Sequence, residues 1–469
     1  MDRENIKKIK IIISTFLIAF LITKFPFPPE FTHDGKIMIA IAFTAAIFWI
    51  TECIPIPVTA LLIILLQGLF QIQPFHEVFA YIATPVNTLL IAGFIIAGSL
   101  KKYDLDRRIG LRIIVAMGEK TNQLILGLMI GTAFLSMWIS NTASTAIMLP
   151  IGIGMIKKIN DNPKDSNVGK AMVIGIAFAA NIGGMGTPVG TPAIPITIAF
   201  LDSMADIGVT FLGWMVRAVP LVIILVPIAW KLLTTIYEPK IKIIEGGTES
   251  VKRELEKMGE LTVKQKHVLI LFSLAVFLWI SDSFLSLVEG WLYIASIAIA
   301  IMFVLPGVGV LTWKEASDEI GWGVLILVGG GLALGSGLQK TGVISIIAGH
   351  MHTLVVNADL VLVIAVVSFV TAFSITLFSS LTATSSTFVP VAITLAYRLN
   401  VSPLLLGAVA GLSSCLAFLL PANTAPNAVV YSSGFFKTYE MTKAGLILTA
   451  LSVIVVIILG ALYWSPFLS

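Results

Sequence analysis

The chain has 469 residues, of which 57% are hydrophobic and only 12% are charged, and its formal net charge is +4. A soluble globular protein carries about twice that charged fraction. Together with a mean hydropathy of +0.98, the composition therefore excludes an ordinary soluble domain and indicates a polytopic membrane protein.

Apolar stretches long enough to cross a bilayer recur through the first half of the chain. We predict spans at 9–25, 35–52, 55–73 and 86–102, a helical hairpin at 122–158, an interrupted span at 169–204 and a further span at 208–235. The first apolar run is long and no small-residue cleavage site follows it, so we interpret it as a spanning helix rather than a signal peptide.

A hydrophilic stretch at 236–264 divides the chain into two halves. After it we predict spans at 267–284, 290–308 and 323–340, a second hairpin at 358–398, an interrupted span at 403–436 and a last span at 442–464. The predicted fold class is an all-α polytopic membrane protein with about 11 transmembrane helices and two re-entrant helical hairpins.

The two halves resemble each other. Residues 75–102 match residues 313–340 at an offset of 238, and the two hairpin turns match at an offset of 240. The corresponding residues of the first match are Phe75 and Trp313, Glu77 and Glu315, Gly93 and Gly331, Leu100 and Leu338, and Lys102 and Lys340. A near-constant offset over two elements favours an internal repeat, although glycine-rich apolar helices can also look alike by composition alone.

The basic residues indicate how the chain is oriented. With a cytoplasmic N-terminus, 25 of the 30 Lys and Arg residues fall on the cytoplasmic side, as the positive-inside rule favours. Equivalent elements of the two halves are then separated by an odd number of spans. We therefore predict an inverted-topology repeat in the inner cell membrane, with the C-terminus extracytoplasmic.

Short uncharged polar clusters interrupt both hairpins. The first turn is Ser140-Asn141-Thr142 and the second is Ser380-Leu381-Thr382, and Pro150 or Pro390 follows eight residues after each Thr. Polar groups in hydrocarbon are costly unless they bind something or each other. Oxygens and free helix ends at such turns suit a small cation or a carboxylate, and hydrogen bonding between packed helices is the other interpretation.

The two interrupted spans contain glycines and prolines through which no regular helix passes. The first contains Gly183, Gly184, Gly186 and Gly190 beside Pro188, Pro192 and Pro195, and the second contains Pro421, Asn423, Thr424, Pro426 and Asn427. Irregular backbone at membrane depth is tolerated where it lines a cavity. The two interrupted spans and the two turns together therefore predict one central site.

Neither the turns nor the breaks contain Asp, Glu, His or Lys. This argues against a carboxylate proton relay and against a cationic substrate, and it fits an anion held by amides and hydroxyls with cations beside it. The chain shows no phosphate-binding loop, nucleophile motif or metal-ligand spacing. We therefore expect neither an enzyme nor a nucleic-acid partner.

These motifs together resemble the divalent anion/sodium symporter family, the bacterial dicarboxylate carriers related to animal sodium–dicarboxylate and sodium–citrate cotransporters. The resemblance covers nearly the whole chain and is strongest in FLSMWISNTASTAIMLP and LPANTAPNAVVY. It implies a lipid-embedded homodimer in which a transport domain moves against a scaffold as an elevator. The scaffold would comprise 1–119 and 265–357, the transport domain 120–235 and 358–469, and the cytoplasmic linker 236–264.

The resemblance also implies two sodium ions beside one dicarboxylate. The first sodium would be held by Ser136, Ser140, Asn141 and Gly190, and the second by Thr376, Ser379 and Asn423. The substrate would contact Ser140, Asn141, Thr142, Thr382, Thr424, Pro426 and Asn427. The chain departs from the family pattern at Leu381, where the second turn has Asn, and at Asn423, where the late break usually has a small residue. Leu cannot coordinate a cation, so Asn423 is the candidate replacement.

The leading hypothesis is a secondary transporter that imports a divalent anion with sodium, the anion being a C4-dicarboxylate of the succinate, malate or fumarate type. Leu381 motivates a sodium-independent anion exchanger as the alternative, and citrate or sulfate are alternative substrates. A channel or a membrane receptor is a different class. Closed hairpins in antiparallel repeats argue against an open pore, and the sequence shows no signalling domain.

Overall fold

The computed structural model describes residues 3–159, 166–244, 246–285, 288–355 and 358–465. The first half forms α1 (Arg3–Lys24), α2 (His33–Thr51), α3 (Ile56–Leu69), α4 (Phe75–Ala80), α5 (Val86–Lys102), α6 (Leu105–Met117), α7 (Thr121–Ser136), α8 (Asn141–Ile156), α9 (Asn167–Gly184), α10 (Ala193–Ala205) and α11 (Phe211–Ile236). The second half forms α12 (Gly247–Lys257), α13 (Val263–Leu285), α14 (Trp291–Val304), α15 (Trp313–Glu319), α16 (Trp322–Lys340), α17 (Val343–Val355), α18 (Leu360–Phe378), α19 (Leu381–Leu399), α20 (Pro403–Ser413), α21 (Ala425–Tyr431) and α22 (Thr438–Leu459).

Within these residues, seven helices are long and apolar enough to cross a membrane. They are His33–Thr51, Phe75–Lys102 (α4 and α5 taken together), Phe211–Ile236, Val263–Leu285, Trp322–Lys340, Leu360–Phe378 and Thr438–Trp464 (α22 and the turn that follows it). Shorter apolar helices, among them α7, α8, α10 and α20, form the hairpins and the broken spans. The predicted all-α polytopic membrane architecture is confirmed, and the total of about 11 spans stays a prediction.

Both hairpins and both broken spans lie where the sequence predicts them. α7 and α8 are joined through residues 137–140, and α18 and α19 through Ser379 and Ser380. α9 ends at Gly184 and α10 begins at Ala193, while the chain between α20 and α21 contains only a short 3-10 turn. Several apolar helices therefore end beside other helices rather than in loops at the protein surface.

The hydrophilic stretch at 236–264 is more ordered than the linker that we predicted. It contains the amphipathic helix α12, and α12 packs against α6, a second amphipathic helix that the span pattern did not reveal. Arg107 of α6 forms an ion pair with Glu254 of α12. Arg108 donates hydrogen bonds to the carbonyls of Met258 and Gly259 at 2.7 and 2.8 Å. These contacts pack residues 247–259 against α6 of the first half of the chain.

The two halves exchange contacts in a reciprocal way. α3 packs against α16, and α14 packs against α5. Two ion pairs repeat this exchange, because Lys102 pairs with Glu315 at 2.7 Å and Lys340 pairs with Glu77 at 2.8 Å. Each Lys and each Glu of one pair matches its counterpart in the other at the offset of 238. Two copies of one unit related by a twofold axis produce such reciprocity, which supports the predicted repeat.

Helix α9 lies at the centre of the helices that form the first hairpin and the first break. All its residues from Ala171 to Gly184 are buried. It packs against α7, α8 and α11 of its own half and against α21 of the other half. A helix stretch buried on every side is held firmly by its neighbours, so α9 fixes the position of the polar residues at its C-terminal end.

We predict that reversing one ion pair of the reciprocal set is rescued by reversing its partner. Lys340→Glu and Glu77→Lys each bring like charges together and lower the unfolding temperature in detergent. The double variant recovers most of the loss, because the pair is restored with its polarity inverted. Exposed pairs contribute about 0.2–1 kcal/mol, so the shifts are small and require a double-mutant cycle. Losses that simply add in the double variant would contradict the pairing.

Candidate functional site

The first hairpin turn is a helix start with a buried amide at its first position. Ser140 caps α8 by accepting a hydrogen bond from the N–H of Ala143 at 3.2 Å, the role for which Ser is favoured at this position. Asn141 is 7% exposed, and the Ser136 hydroxyl lies 2.8 Å from its Oδ1. The same hydroxyl lies 2.7 Å from the carbonyl of Ala180 on α9. The turn is thereby fixed to α9.

Two glycines allow the broken span to approach this turn. A β-carbon on Gly184 would collide with Oδ1 of Asn141. A β-carbon on Gly190 would collide with the carbonyl oxygen of Gly184 and would lie 2.7 Å from the carbonyl oxygen of Ser136. No other residue type fits such close approach without displacing its neighbours. The glycines therefore bring peptide and amide oxygens together where two helices end.

This cluster of uncharged oxygens fits a small hard cation. It comprises Oδ1 of Asn141, the hydroxyl of Ser136 and the carbonyls of Ser136 and Gly184, and carbonyls at half-helix ends are typical sodium ligands. The described residues contain no group of three or more His, Cys, Asp or Glu that would hold another metal. The predicted residues Ser136, Asn141 and Gly190 are thus brought together, and Ser140 lies at the same turn.

The late break of the second half lies against the same helix α9. Thr424 caps α21, and its Oγ1 accepts hydrogen bonds from the N–H of Asn427 at 3.4 Å and from Nδ2 of Asn181 at 3.3 Å. A hydroxyl that accepts twice still has its own proton to donate. The predicted substrate residue Thr424 therefore retains a free donor, and Pro426 is buried in the next turn of the chain.

Asn427 is fully buried and its amide is used inside the protein. Its Nδ2 donates to the carbonyls of Ala417 and Leu420, both at 3.0 Å, and its Oδ1 accepts from Nδ2 of Asn181 at 3.0 Å. These bonds satisfy backbone groups that the break leaves free. The structure shows Asn427 holding the break in shape, and its predicted contact with substrate stays a prediction.

Asn181 is a residue that the sequence analysis missed. It is 1% exposed, it joins α9 to Thr424 and Asn427, and its Oδ1 has no hydrogen-bond partner among the described residues. It lies one helical turn before Gly184, and Gly184 contacts Asn141 in the first hairpin turn. An amide just before Gly-Gly at the end of a long apolar run was the available signal.

The second hairpin turn differs from the first. Ser379 ends α18 in the left-handed region with φ 46°, and Ser380 caps α19. Thr382 is 4% exposed and has no hydrogen bond to another predicted site residue in the described part of the chain. Asn423 reaches this turn through a 3.3 Å hydrogen bond from its Nδ2 to the carbonyl of Ile375. That bond brings Asn423 to the end of the helix that contains Thr376.

One face of α8 is open from the turn to a basic cavity. Ser140, Thr142, Ala146 and Pro150 are all exposed. A cavity of about 700 Å³ begins at Ala146, one turn beyond Thr142, and extends between α8, α6 and α12. Its basic wall residues are Lys101, Arg107, Lys158, Arg253 and Lys257, and its acidic ones are Asp104, Asp106 and Glu254. Burial raises the pKa of the Asp106 carboxyl, and the hydrogen bond from the N–H of Arg107 offsets only part of that rise.

Comparison with known proteins identifies similarity over nearly the whole chain. A family model described as sodium:sulfate symporter transmembrane region matches residues 4–469. The chain is 34% identical over 464 residues to the sodium-dependent dicarboxylate transporter SdcS of Staphylococcus saprophyticus, a match that covers 94% of this chain and 88% of that protein. It is also 34% identical over 466 residues to the SdcS protein of Staphylococcus aureus, with the same coverage of both chains.

We predict that Gly184→Ala disrupts the oxygen cluster while the protein stays folded. The added methyl group occupies the place of Asn141 Oδ1, so the amide must turn away from Ser136 and Gly190. Stabilisation of the purified protein by sodium, measured as a shift of the unfolding temperature, should then require at least about tenfold more sodium. Gly208→Ala is the matched control, because nothing lies within 4 Å of a β-carbon at Gly208. An unchanged sodium response in Gly184→Ala would show that the cluster binds no cation.

Proposed function

The chain belongs to the sodium:sulfate symporter family, and on that premise we propose that it is a secondary transporter that imports a C4-dicarboxylate with sodium. The observation that carries this proposal is the oxygen cluster at Ser136, Asn141 and Gly190. It combines helix-end carbonyls with an amide beside an exposed row of hydroxyls. A cation there would lie next to an anion bound at the start of α8, since helix N-termini favour negative charge.

The roles of the residues follow from this placement. Ser136, Ser140, Asn141 and Gly190 would coordinate sodium, and the hydroxyls of Ser140, Thr142, Thr382 and Thr424 would donate to the substrate carboxylates, with Pro426 and Asn427 shaping the late break. No positively charged side chain lies in either turn or break. The cation therefore supplies the positive charge that makes binding of a dianion favourable, and this is the physical basis of coupling.

A dicarboxylate is supported by the names of the relatives and by the chemistry of the site. Each relative described above is named a sodium-dependent dicarboxylate transporter. The two repeats supply separate sets of hydroxyls, one for each end of a short dicarboxylate. Citrate and sulfate are the competing substrates, and a sodium-independent exchanger is the competing mechanism, favoured by the apolar Leu381 in the second turn.

The direction of access fits the proposed orientation. The cavity beside α8 is lined by residues of the loops that we assign to the cytoplasm, including Lys158 and Lys257. Walls with basic residues raise the local concentration of anions. The chain would lie in the inner cell membrane with its N-terminus cytoplasmic and its C-terminus extracytoplasmic, and this conformation would release substrate to the cytoplasm.

An elevator movement is supported by the surface between the proposed domains. Scaffold helices α5 and α16 meet the transport part through glycines, Gly93 against Val189, Gly331 against Ser386 and Gly335 against Phe200. Glycine offers no side chain that interlocks, so such a surface resists sliding less than a ridged one. The homodimer, formed through the scaffold spans at 35–102 and 267–340, stays a prediction.

Uptake by proteoliposomes tests the function. We expect an inward sodium gradient to drive accumulation of labelled succinate, and replacement of sodium by choline to abolish it. Asn141→Ala should lower uptake about tenfold to a hundredfold, the loss expected when a buried polar partner worth about 1–3 kcal/mol is removed. Excess unlabelled malate should compete, and excess sulfate or citrate should not. Uptake that is equally fast in choline would leave the exchanger as the function.

A reversible disulfide tests the elevator. The β-carbon of Ser386 lies 3.3 Å from the position of a β-carbon at Gly331, close to the roughly 3.5–4.5 Å of natural disulfides. In a background without Cys53 and Cys415, the Gly331→Cys, Ser386→Cys protein should stop transporting on oxidation and recover with a reductant. Each single variant is the control and should be insensitive to oxidant. Full activity of the crosslinked protein would rule out sliding at this surface.

A further inference from the structure

The two hairpin turns have the same local structure, so the second can be compared with the first residue by residue. Ser140 and Ser380 each cap the following helix, accepting a hydrogen bond from the N–H three residues on at 3.2 and 3.3 Å. The two caps are related by the offset of 240 that the sequence shows. Every residue of the first oxygen cluster on α7 and α8 therefore has a defined counterpart on α18 and α19.

The side chains that form the first cluster have no counterparts in the second turn that could coordinate a cation together. Asn141 corresponds to Leu381, which packs among hydrophobic side chains of the main core. Ser136 corresponds to Thr376, and the two hydroxyls differ in their surroundings. The Ser136 hydroxyl lies 2.8 Å from Asn141 Oδ1, whereas Oγ1 of Thr376 is buried without a hydrogen-bond partner among the described residues. The orphaned hydroxyl marks the place where an amide oxygen is missing.

The side-chain amide of Asn423 occupies the space opposite the second turn and donates a hydrogen bond to it. Asn423 is 1% exposed, its Nδ2 donates to the carbonyl of Ile375 at 3.3 Å, and its Oδ1 accepts from the N–H of Leu420 at 2.8 Å. The two partners fix the orientation of the amide, because the reverse orientation would place donor against donor and acceptor against acceptor. Asn423 thus presents an N–H group to the end of α18, while its amide oxygen is held by the backbone.

From this comparison we infer that the second turn binds no cation, that the Asn423 amide takes the place of the ion, and that coupling rests on the first turn alone. The carbonyl of Ile375 is neutralised by a fixed hydrogen-bond donor, and the oxygen of Asn423 is held by the backbone. Leu381 closes the remaining side. The inference rests on the proposed function and specifies that one sodium ion is coupled to transport. It departs from the two sodium sites that the family resemblance implies.

Direct binding separates one site from two without depending on transport. The purified wild-type protein should be stabilised by sodium along a single-site curve, and Asn141→Ala should need about tenfold to a hundredfold more sodium for the same stabilisation, because one ligand of that site is gone. Choline at equal concentration corrects for ionic strength. A sodium-dependent component that keeps its wild-type affinity in Asn141→Ala would reveal a second site and overturn the inference.

Transport measurements give the number of ions moved. In wild-type proteoliposomes we expect succinate uptake to rise with sodium concentration with a Hill coefficient of about 1, because a Hill coefficient does not exceed the number of sites. One labelled sodium ion should enter per succinate. A Hill coefficient clearly above 1 or two sodium ions per succinate would overturn the inference while leaving sodium coupling intact. No sodium effect at all would overturn both the inference and the proposed function.

A third test restores an amide oxygen to the second turn and measures whether a second sodium ion is then transported. Leu381→Asn combined with Asn423→Ala returns an amide oxygen to the second turn and vacates the space opposite it. This variant should raise the sodium-to-succinate ratio and the Hill coefficient toward about 2. Leu381→Asn alone is the matched variant and should change neither, since the Asn423 amide still fills the space. If the double variant does not fold, the binding curves of the wild type and Asn141→Ala still decide the question.

Discussion

The whole arrangement depends on satisfying peptide groups where helices stop inside an apolar environment. Hydrocarbon offers no hydrogen-bond partners, so each free N–H and C=O at a break must be paired within the protein or must bind a ligand. In the late break, Asn427 and Asn181 take up the carbonyls of Ala417 and Leu420. At the first turn the carbonyls of Ser136 and Gly184 are instead gathered around Gly190. The difference between a closed break and a binding site is whether a side chain or a ligand supplies the partner.

Reciprocal packing of the two repeats positions these breaks. Elements of one repeat are completed by the other, as the pairs Lys102 with Glu315 and Lys340 with Glu77 show at the surface. In the interior, Ser385 of α19 donates to the carbonyl of Ala193 at the start of α10. The oxygen cluster lies within the first half, whereas Thr424 and Asn427 of the late break are held by Asn181 of the first half. The centre is therefore set by residues far apart in the chain.

The sequence predicted the long apolar elements well, because hydropathy, glycine and proline act locally. The hairpin at 122–158 and the break at 169–204 were located to within a few residues. The amphipathic helices α6 and α12 were not predicted, since their polar residues break the apolar runs by which spans are recognised. Asn181 was missed for a different reason: its role depends on Thr424 and Asn427, more than 240 positions away, and no local pattern reports such a contact.

The bond between the Asn423 amide and the carbonyl of Ile375 has an electrical consequence. A neutral amide carries no charge across the membrane, so a dianion accompanied by one sodium ion moves one net negative charge inward. An inside-negative potential of 100 mV opposes that step by about 2.3 kcal/mol, whereas a tenfold sodium gradient contributes only about 1.4 kcal/mol. At that potential, such a carrier imports substrate only when the external substrate concentration exceeds the internal one, and it accumulates substrate against a gradient only in weakly polarised cells.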